Sequence, residues 1–135
     1  ARRYAEAKPG DGATGLLAAT LRNYGTFLRY DGQLALSLKT LQEARSLLDG
    51  VPPSPARDLE ISTVEYYLGI VNGEPDSLSL GNREAAITHL ERSLEVLRAL
   101  MKTDPNDNNA RIDFAMRTRL RSTGAAEAGE TGDPR

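Results

Sequence analysis

Apolar residues recur every three or four positions along most of the chain, as they do on one face of an α-helix. The alternation of apolar and polar residues that marks a β-strand is not sustained anywhere. The pattern therefore predicts an all-α fold with about five helices and no sheet. The helices are expected at about Thr14 to Tyr30, Gln33 to Asp49, Pro55 to Val71, Asn82 to Thr103 and Asn106 to Arg121.

Turn residues separate the predicted helices. Asp31-Gly32 follows the first helix. The run from Asp49 to Pro53 ends the second, because glycine suits a helix C-terminus and proline cannot extend a helix. Ser54 then provides a hydroxyl N-cap for the third helix, with Pro55 at its first helical position.

Two helix–turn–helix units repeat along the sequence. Gly25 aligns with Gly69, 44 positions later, and Gly32 aligns with Gly81, 49 positions later. The first shift places Leu17, Thr20, Tyr24 and Phe27 on Ile61, Val64, Leu68 and Val71. The second shift places Leu38, Leu41, Ala44 and Leu48 on Ile87, Leu90, Ser93 and Leu97. The second unit therefore has five extra residues in its turn, and the loop from Asn72 to Leu80 is expected to protrude.

Small residues occupy the positions where the paired helices would touch: Gly25, Gly69, Ser37, Ala86, Ala44 and Ser93. A hairpin with an apolar stripe cannot bury that stripe alone, so neighbouring hairpins must stack. A shift of 55 positions, from Asp58-Leu59 to Asp113-Phe114, indicates a partial third unit. We therefore expect stacked antiparallel helical hairpins over residues 14–121, after a flexible segment 1–13 and before a frayed tail 122–135.

A shared set of residues gives the two units a family resemblance. The set comprises Tyr24-Gly25, Gly32, Ser37, Leu41 and Ala44 in the first unit, and Leu68-Gly69, Gly81, Ala86, Leu90, Ser93 and the closing Asp104-Pro105 in the second. It resembles the tetratricopeptide (TPR) repeat, which has an apolar–Gly pair in its first helix, small residues in its second and a closing proline. The segment from Leu80 to Ala115 also resembles repeat regions C-terminal to the catalytic domain of some bacterial serine/threonine protein kinases.

The resemblance implies a TPR-like right-handed solenoid in which the first helix of each pair lines a groove for a partner. On that basis the groove residues are Arg22, Thr26, Arg29, Tyr66 and Ile70. Guanidinium groups there would suit an acidic or C-terminal carboxylate ligand, because arginine binds carboxylates bidentately. The chain departs from the family in having longer repeats and in lacking its usual aromatics. Their places are taken by Leu21, Glu65, Leu28 and Asn72.

Composition narrows the functions that the chain can have. Lys plus Arg is 17 and Asp plus Glu is 19, so a net charge of -2 offers no general attraction to nucleic acid or to an anionic membrane. The absence of cysteine excludes disulfides, zinc–thiolate sites and thiol catalysis; it does not fix the compartment, although the cytoplasm is slightly favoured. No apolar run approaches the roughly 18 residues of a membrane span. The start at Ala1 rather than Met leaves open that the chain belongs to a longer protein.

Two segments have the residue types of ligand-binding loops without their context. Gly10 to Gly15 reads G-x-G-x-x-G, but no strand precedes it and no kinase motif follows it, so a flexible linker is expected rather than a nucleotide site. Asp104 to Asn109 has oxygen ligands at alternating positions. A calcium loop also needs Gly at its sixth position and Glu at its twelfth, where this chain has Ala115. The better interpretation is a capped turn, with Asp104 as the N-cap of the fifth helix.

The remaining candidates for chemistry are a histidine and a basic helix. His89 lies beside the apolar stripe of the fourth helix and is expected to be solvated. Nucleic-acid binding by the last helix would need interleaved aromatics, and only Phe114 is near. Its basic residues are Arg111, Arg117, Arg119 and Arg121, and they are expected to be solvated or to face a partner. We predict no catalytic residue, no metal site and no cofactor.

The expected function is the binding of a partner protein or peptide in a helical groove, without catalysis by this chain. Neither nucleic acid nor a membrane is expected as a partner, and an oligomer is left open. Two alternatives remain. The chain would be the regulatory region of a bacterial serine/threonine kinase, in which case the longer gene product would contain kinase motifs, or a helical sensor domain of a transcriptional regulator.

Overall fold

The computed structural model of this chain describes residues 10–73 and 79–125. Within them the chain is all-α, as the apolar spacing predicts, and contains no strand. The five helices are α1 (Asp11–Tyr30), α2 (Leu34–Asp49), α3 (Pro55–Gly73), α4 (Arg83–Thr103) and α5 (Asn108–Ala125).

Helix α1 begins three residues earlier than the sequence pattern suggests. Gly10 is its N-cap with a φ of 95°, a left-handed conformation that glycine adopts without steric cost. The amide of Thr14 donates to the carbonyl of Gly10 at 2.9 Å, so the helical hydrogen bonds start there. The Gly10 to Gly15 segment is thus the start of a helix, where we expected a linker. Residues 1–9 and 126–135 lie outside the described residues.

The turn between α1 and α2 has a glycine that its conformation requires. Gly32 has a φ of 85°, and its predicted counterpart Gly81, just before α4, has a φ of 76°. Both values lie in the left-handed region that disfavours residues with a Cβ. The amide of Gln33 closes the first turn by donating to the carbonyl of Leu28 at 2.9 Å. The two glycines that define the 49-position shift are therefore placed by the same backbone constraint.

The other turns are capped by side chains. Ser54 caps α3 as predicted, because its Oγ accepts the amide of Arg57 at 3.0 Å. At α5 the cap is Asp107 rather than the predicted Asp104, since Asp107 Oδ1 accepts the amide of Ala110 at 3.1 Å. Asp104 still belongs to the end of α4, where its amide donates to the carbonyl of Leu100 at 2.9 Å. The predicted capped turn is confirmed, and the fifth helix starts later than expected.

Residues 74–82 join α3 to α4, a longer connection than the three residues between α1 and α2. The end of this connection is bound to α3 by two backbone hydrogen bonds. The amide of Leu80 donates to Val71 at 2.8 Å, and that of Asn82 donates to Asn72 at 2.6 Å. The two helices are separate, as the repeat alignment requires. The predicted start of this loop at Asn72 is wrong, because α3 continues to Gly73 and buries both residues. The predicted protrusion concerns residues 74–78, which lie outside the described residues.

Each hairpin closes through a glycine at the crossing of its two helices. A Cβ at Gly25 would lie 2.8 Å from Cγ of Leu41 in α2. A Cβ at Gly69 would lie 3.1 Å from Cγ of Leu90 in α4 and from the carbonyl oxygen of Ala86. Leu41 and Leu90 are the pair that the second shift superimposes. The two units therefore close in the same way, which gives the sequence repeat a three-dimensional counterpart.

The two hairpins stack through α2 and α3. The buried apolar residues of this core are Ala18, Leu41, Ala44, Leu48, Ile61, Val64, Leu68 and Val71. Helix α5 packs on α4 through a smaller cluster that includes Leu97, Leu100 and Ala110. Helix α3 contacts α1, α2 and α4. The chain thus consists of the hairpins α1/α2 and α3/α4, followed by α5 as the first helix of the predicted partial third unit.

We predict opposite effects for the same substitution at two glycines of α1. Gly25→Ala should lower the free energy of unfolding by about 1–2 kcal/mol, because the new methyl group overlaps the buried Leu41 side chain. Gly15→Ala should raise it by about 0.5–1 kcal/mol, since a Cβ there meets nothing within 4 Å and alanine favours the helix. Urea unfolding followed by circular dichroism measures both changes. Equal effects at the two positions would contradict the proposed closure of the hairpin.

Candidate functional site

Arg22, the first of the predicted groove residues, takes part in the contact between α1 and α3. Arg22 forms a two-point ion pair with Glu60, with its Nε bonded to Oε2 and its Nη2 3.3 Å from Oε1. Both side chains are 21% exposed. Thr26, one turn later, donates its hydroxyl to the carbonyl of Arg22 at 3.0 Å. Arg22 therefore joins α1 to α3, where Glu60 compensates its charge, and Thr26 lies one turn further along the same side of α1.

Tyr66, the predicted aromatic of the groove, is half-buried at a different junction, between α3 and α5. The guanidinium carbon of Arg117 lies 4.6 Å from the centroid of its ring. The ring of Tyr67 meets it edge-on, with 5.1 Å between centroids. A cation over an aromatic face is an attractive contact that strengthens when water is excluded. One face of Tyr66 is therefore occupied within the chain.

Arg29 and Ile70, the other two predicted groove residues, are buried. They are 7% and 4% exposed, and the guanidinium of Arg29 lies 4.8 Å from the ring centre of Tyr30. Both residues lie in helices, as predicted: Arg29 in α1 and Ile70 in α3. The side of each helix on which they lie is buried in the folded chain. In this arrangement only Arg22, Thr26 and Tyr66 of the five offer surface to a partner.

Arg117 of α5 is a buried guanidinium, so the prediction that it is solvated or faces a partner is wrong. It is 7% exposed, and Nη1 donates to the hydroxyls of Ser62 at 3.1 Å and Ser93 at 2.9 Å. Its Nη2 lies 3.4 Å from Asp113, one turn earlier in α5. Burial lowers the pKa of Arg117, although the charge of Asp113 opposes that change. A single side chain thus joins α5 to both helices of the second hairpin.

A signal for this contact is present in the sequence. Ser93 aligns with Ala44 at a helix crossing, so a hydroxyl replaces a methyl group where space is restricted. The Oγ of Ser93 donates to the carbonyl of Ser62 at 2.7 Å and so keeps a lone pair for Arg117. Asp113 stands four residues before Arg117, the spacing of an ion pair on one helix. The hydroxyl of Ser93 and the Asp113–Arg117 spacing together indicate a polar contact between α4 and α5.

A second polar cluster centres on Glu65 in α3, which is 4% exposed. It accepts a hydrogen bond from Nε of Arg45 in α2 at 2.9 Å, and its other oxygen lies 2.6 Å from Nδ1 of His89 in α4. Arg45 also bonds Asp49 at 2.8 Å. The expectation of a solvated His89 is therefore wrong, because the imidazole is held against a buried carboxylate. In the sequence Glu65 is only a departure from the family pattern, and its partners come from helices whose approach the sequence does not specify.

Hydrogen bonds decide the protonation of this cluster. Burial alone would raise the pKa of Glu65, but the hydrogen bonds and charges of His89 and Arg45 hold it below its ordinary value. Burial likewise opposes the charge of Arg45, yet its contacts with Glu65 and Asp49 raise the pKa of that guanidinium. The carboxylate of Glu65 and the guanidinium of Arg45 therefore keep their charges, and the hydrogen bonds of Glu65 link α2, α3 and α4.

The described residues show no further feature that assigns a chemical activity. In residues 10–73 and 79–125, no three carboxylate or histidine side chains come together as a metal ion would require. None of the helices in those ranges is both long and apolar enough to cross a membrane. The polar clusters are made of ion pairs and hydroxyl contacts between helices.

Comparisons with known proteins add no family assignment. The chain matches no family model, no curated protein and no solved structure. The structure of the described residues defines the class of the protein, an all-α fold of packed helical hairpins.

We predict that Glu65→Gln lowers the free energy of unfolding at neutral pH by about 2 kcal/mol, because Arg45 and His89 lose a charged acceptor. In the unfolded chain Glu65 takes up a proton at the ordinary pKa of a glutamate, whereas the folded carboxylate resists protonation to lower pH. Its stabilisation is therefore complete above that pKa and is lost as the pH falls through the folded pKa. Urea unfolding between about pH 7 and about pH 2.5 should show a smaller loss for the variant than for the wild type. Parallel curves would contradict the role of Glu65.

We further predict that Arg117→Met detaches α5 from the second hairpin. Loss of the guanidinium removes donors from Ser62 and Ser93, at a cost of about 1–3 kcal/mol, while methionine keeps much of the apolar stem. Amide hydrogen exchange in α5 should accelerate more than exchange in α1. Arg111→Met, at an exposed arginine of the same helix, is the matched control and should change stability by less than about 0.5 kcal/mol. Equal effects of the two variants would disprove the assignment.

Proposed function

We propose that this chain is a protein-interaction module that binds a peptide or domain of a partner and performs no chemistry of its own. The proposal rests on two partly exposed side chains that other residues of the chain hold in place. They lie on α1 and α3, the first helices of the two hairpins. Arg22 is fixed by Glu60, and Tyr66 is fixed by Arg117. Side chains that are already ordered lose little conformational freedom when a partner binds, which favours affinity.

The binding surface of this proposal is narrower than the one expected from the sequence. It consists of Arg22, Thr26 and Tyr66, because Arg29 and Ile70 are buried. Glu60 balances the charge of Arg22, so a strongly acidic ligand gains less from this surface than two free arginines would give it. The ligand that fits is a segment with both donors and acceptors and an apolar side chain for the exposed part of Tyr66.

That the hairpins are tetratricopeptide repeats is a finer part of the same proposal. Its support is the residue resemblance together with the closure of both units at an equivalent glycine and leucine, Gly25 with Leu41 and Gly69 with Leu90. A kinase regulatory region and a sensor domain of a transcriptional regulator remain alternative settings for such a module. The kinase setting has the resemblance of residues 80–115 as its support.

A screen of a displayed random-peptide library against the immobilised chain tests the proposal. We expect peptides to be enriched, and calorimetry with a selected peptide should show weaker binding for Arg22→Ala and Tyr66→Ala. A substitution at a binding hot spot costs about 2 kcal/mol or more, so the affinity should fall by at least about thirtyfold for one of them. Each variant is first checked for unchanged helicity and melting temperature.

The matched control for this experiment is Glu95→Ala, an exposed position on α4, the second helix of its pair. It should leave the affinity unchanged. Failure to enrich any peptide, or an equal loss of affinity with the control variant, would sink the proposal.

A further inference from the structure

His89 of α4 is the only histidine of the chain and lies close to the point where α2, α3 and α4 meet. Its Nδ1 is 2.6 Å from Oε1 of Glu65, a buried side chain of α3. The second oxygen of Glu65 accepts a hydrogen bond from Nε of Arg45 in α2. Because Glu65 is itself held in this way, it fixes the orientation of the imidazole ring.

The charge of Glu65 decides which nitrogen of the ring carries the proton. The carboxylate is ionised at neutral pH, and an ionised carboxylate only accepts hydrogen bonds. The Nδ1 of His89 must therefore be the donor of the 2.6 Å contact. In the neutral imidazole the other nitrogen, Nε2, then has a lone pair and no proton.

The Nε2 atom of His89 is open to solvent. Within the described residues it forms no hydrogen bond, and it is not one of the buried polar atoms that lack a partner. The side chain as a whole is 20% exposed, so a small molecule can reach this edge of the ring. A nitrogen lone pair of this kind is a nucleophile, and the carboxylate on the far side stabilises the positive ring that forms when it reacts.

The charges near the ring favour an anionic reagent. The residues one turn away from His89 on the same side of α4 are Ala85, Ala86, Arg92 and Ser93. Among them only Arg92 is charged, and it is exposed. Arg45 adds a second guanidinium, of which Asp49 binds one nitrogen. Guanidinium groups bind phosphoryl oxygens well. A metal ion would need further ligands, and no group of three histidine or carboxylate side chains occurs in residues 10–73 and 79–125.

We propose that Nε2 of His89 accepts a phosphoryl group from a small phosphoramidate, a donor whose phosphorus is bound to nitrogen. The lone pair of Nε2 attacks phosphorus, the phosphorus–nitrogen bond of the donor breaks, and the neutral amine leaves with the protons it already carries. The original proton stays on Nδ1, so the product ring is positively charged and donates to Glu65. The bond formed is of the same kind as the bond broken, and no oxidant or further energy source is needed. The chain is the acceptor in this reaction, which leaves the proposed partner binding independent of it.

The test treats the full chain with potassium phosphoramidate at neutral pH and follows its intact mass. We expect one phosphoryl group per chain, placed on Nε2 of His89 by NMR of the ring and lost in acid, as a phosphorus–nitrogen bond requires. The reference is the double variant His89→Gln, Gln42→His, whose single histidine takes an exposed position of α2 with no carboxylate three or four residues away. It should react about tenfold more slowly or less, since no charge-assisted hydrogen bond holds its ring.

Two further variants test the roles of the neighbouring charges. Glu65→Gln should lower the rate at His89 about tenfold, because the positive ring loses its carboxylate. Its helicity is checked first, and the comparison with position 42 does not depend on it. Arg92→Gln should slow the reaction, whereas Lys102→Gln, an exposed change at the far end of α4, should not.

Four results would each refute the proposal. They are a chain that takes up no phosphoryl group, a group bound to Nδ1, a histidine at position 42 that reacts as fast as His89, and equal rates for Arg92→Gln and Lys102→Gln.

Discussion

Each hairpin of this protein has more apolar surface than its own two helices can cover, and the rest of the structure follows from that constraint. Within a hairpin the glycine at the crossing lets the two backbones approach until a leucine of the second helix fills the gap. The surface that remains on the far side of the pair must then be buried by the next unit. Stacking of α2 on α3 is that burial, whereas the far side of α1 stays exposed in the part of the chain that the structure describes.

Apolar stripes alone would leave the register of the stack loosely defined, because leucine packs acceptably against many neighbours. Three polar contacts add the missing specificity. Arg22 with Glu60 joins α1 to α3, Glu65 joins α2 to α4 through Arg45 and His89, and Arg117 joins α5 to the hydroxyls of α3 and α4. A shift of one helix by a turn would leave these groups buried without partners, which is costly. Helix α3 takes part in all three contacts and is thus the centre of the molecule.

Local features of this fold could be predicted because they depend on residues near each other in sequence. The number of helices, the Ser54 cap and the positive φ of Gly32 and Gly81 all follow from spacing and backbone chemistry. The repeat alignment also identified the two helix crossings. The burial of Arg29, Ile70 and Arg117 could not be predicted in the same way, since it depends on which side of each helix the next unit covers. His89 and Glu65 lie 24 positions apart, and only the packed helices bring them together.

The connection between α3 and α4 has a consequence for how this sequence can change. Its last residues are bound to the end of α3 by the backbone of Leu80 and Asn82, and the helices beyond it are held at Gly69. These contacts hold both ends of the connection without the participation of residues 74–78. Doubling such a loop costs only about 0.6 kcal/mol of closure entropy. We therefore expect an insertion in the turn of the second hairpin, such as a tag or a new recognition segment, to leave the packing of the helices unchanged.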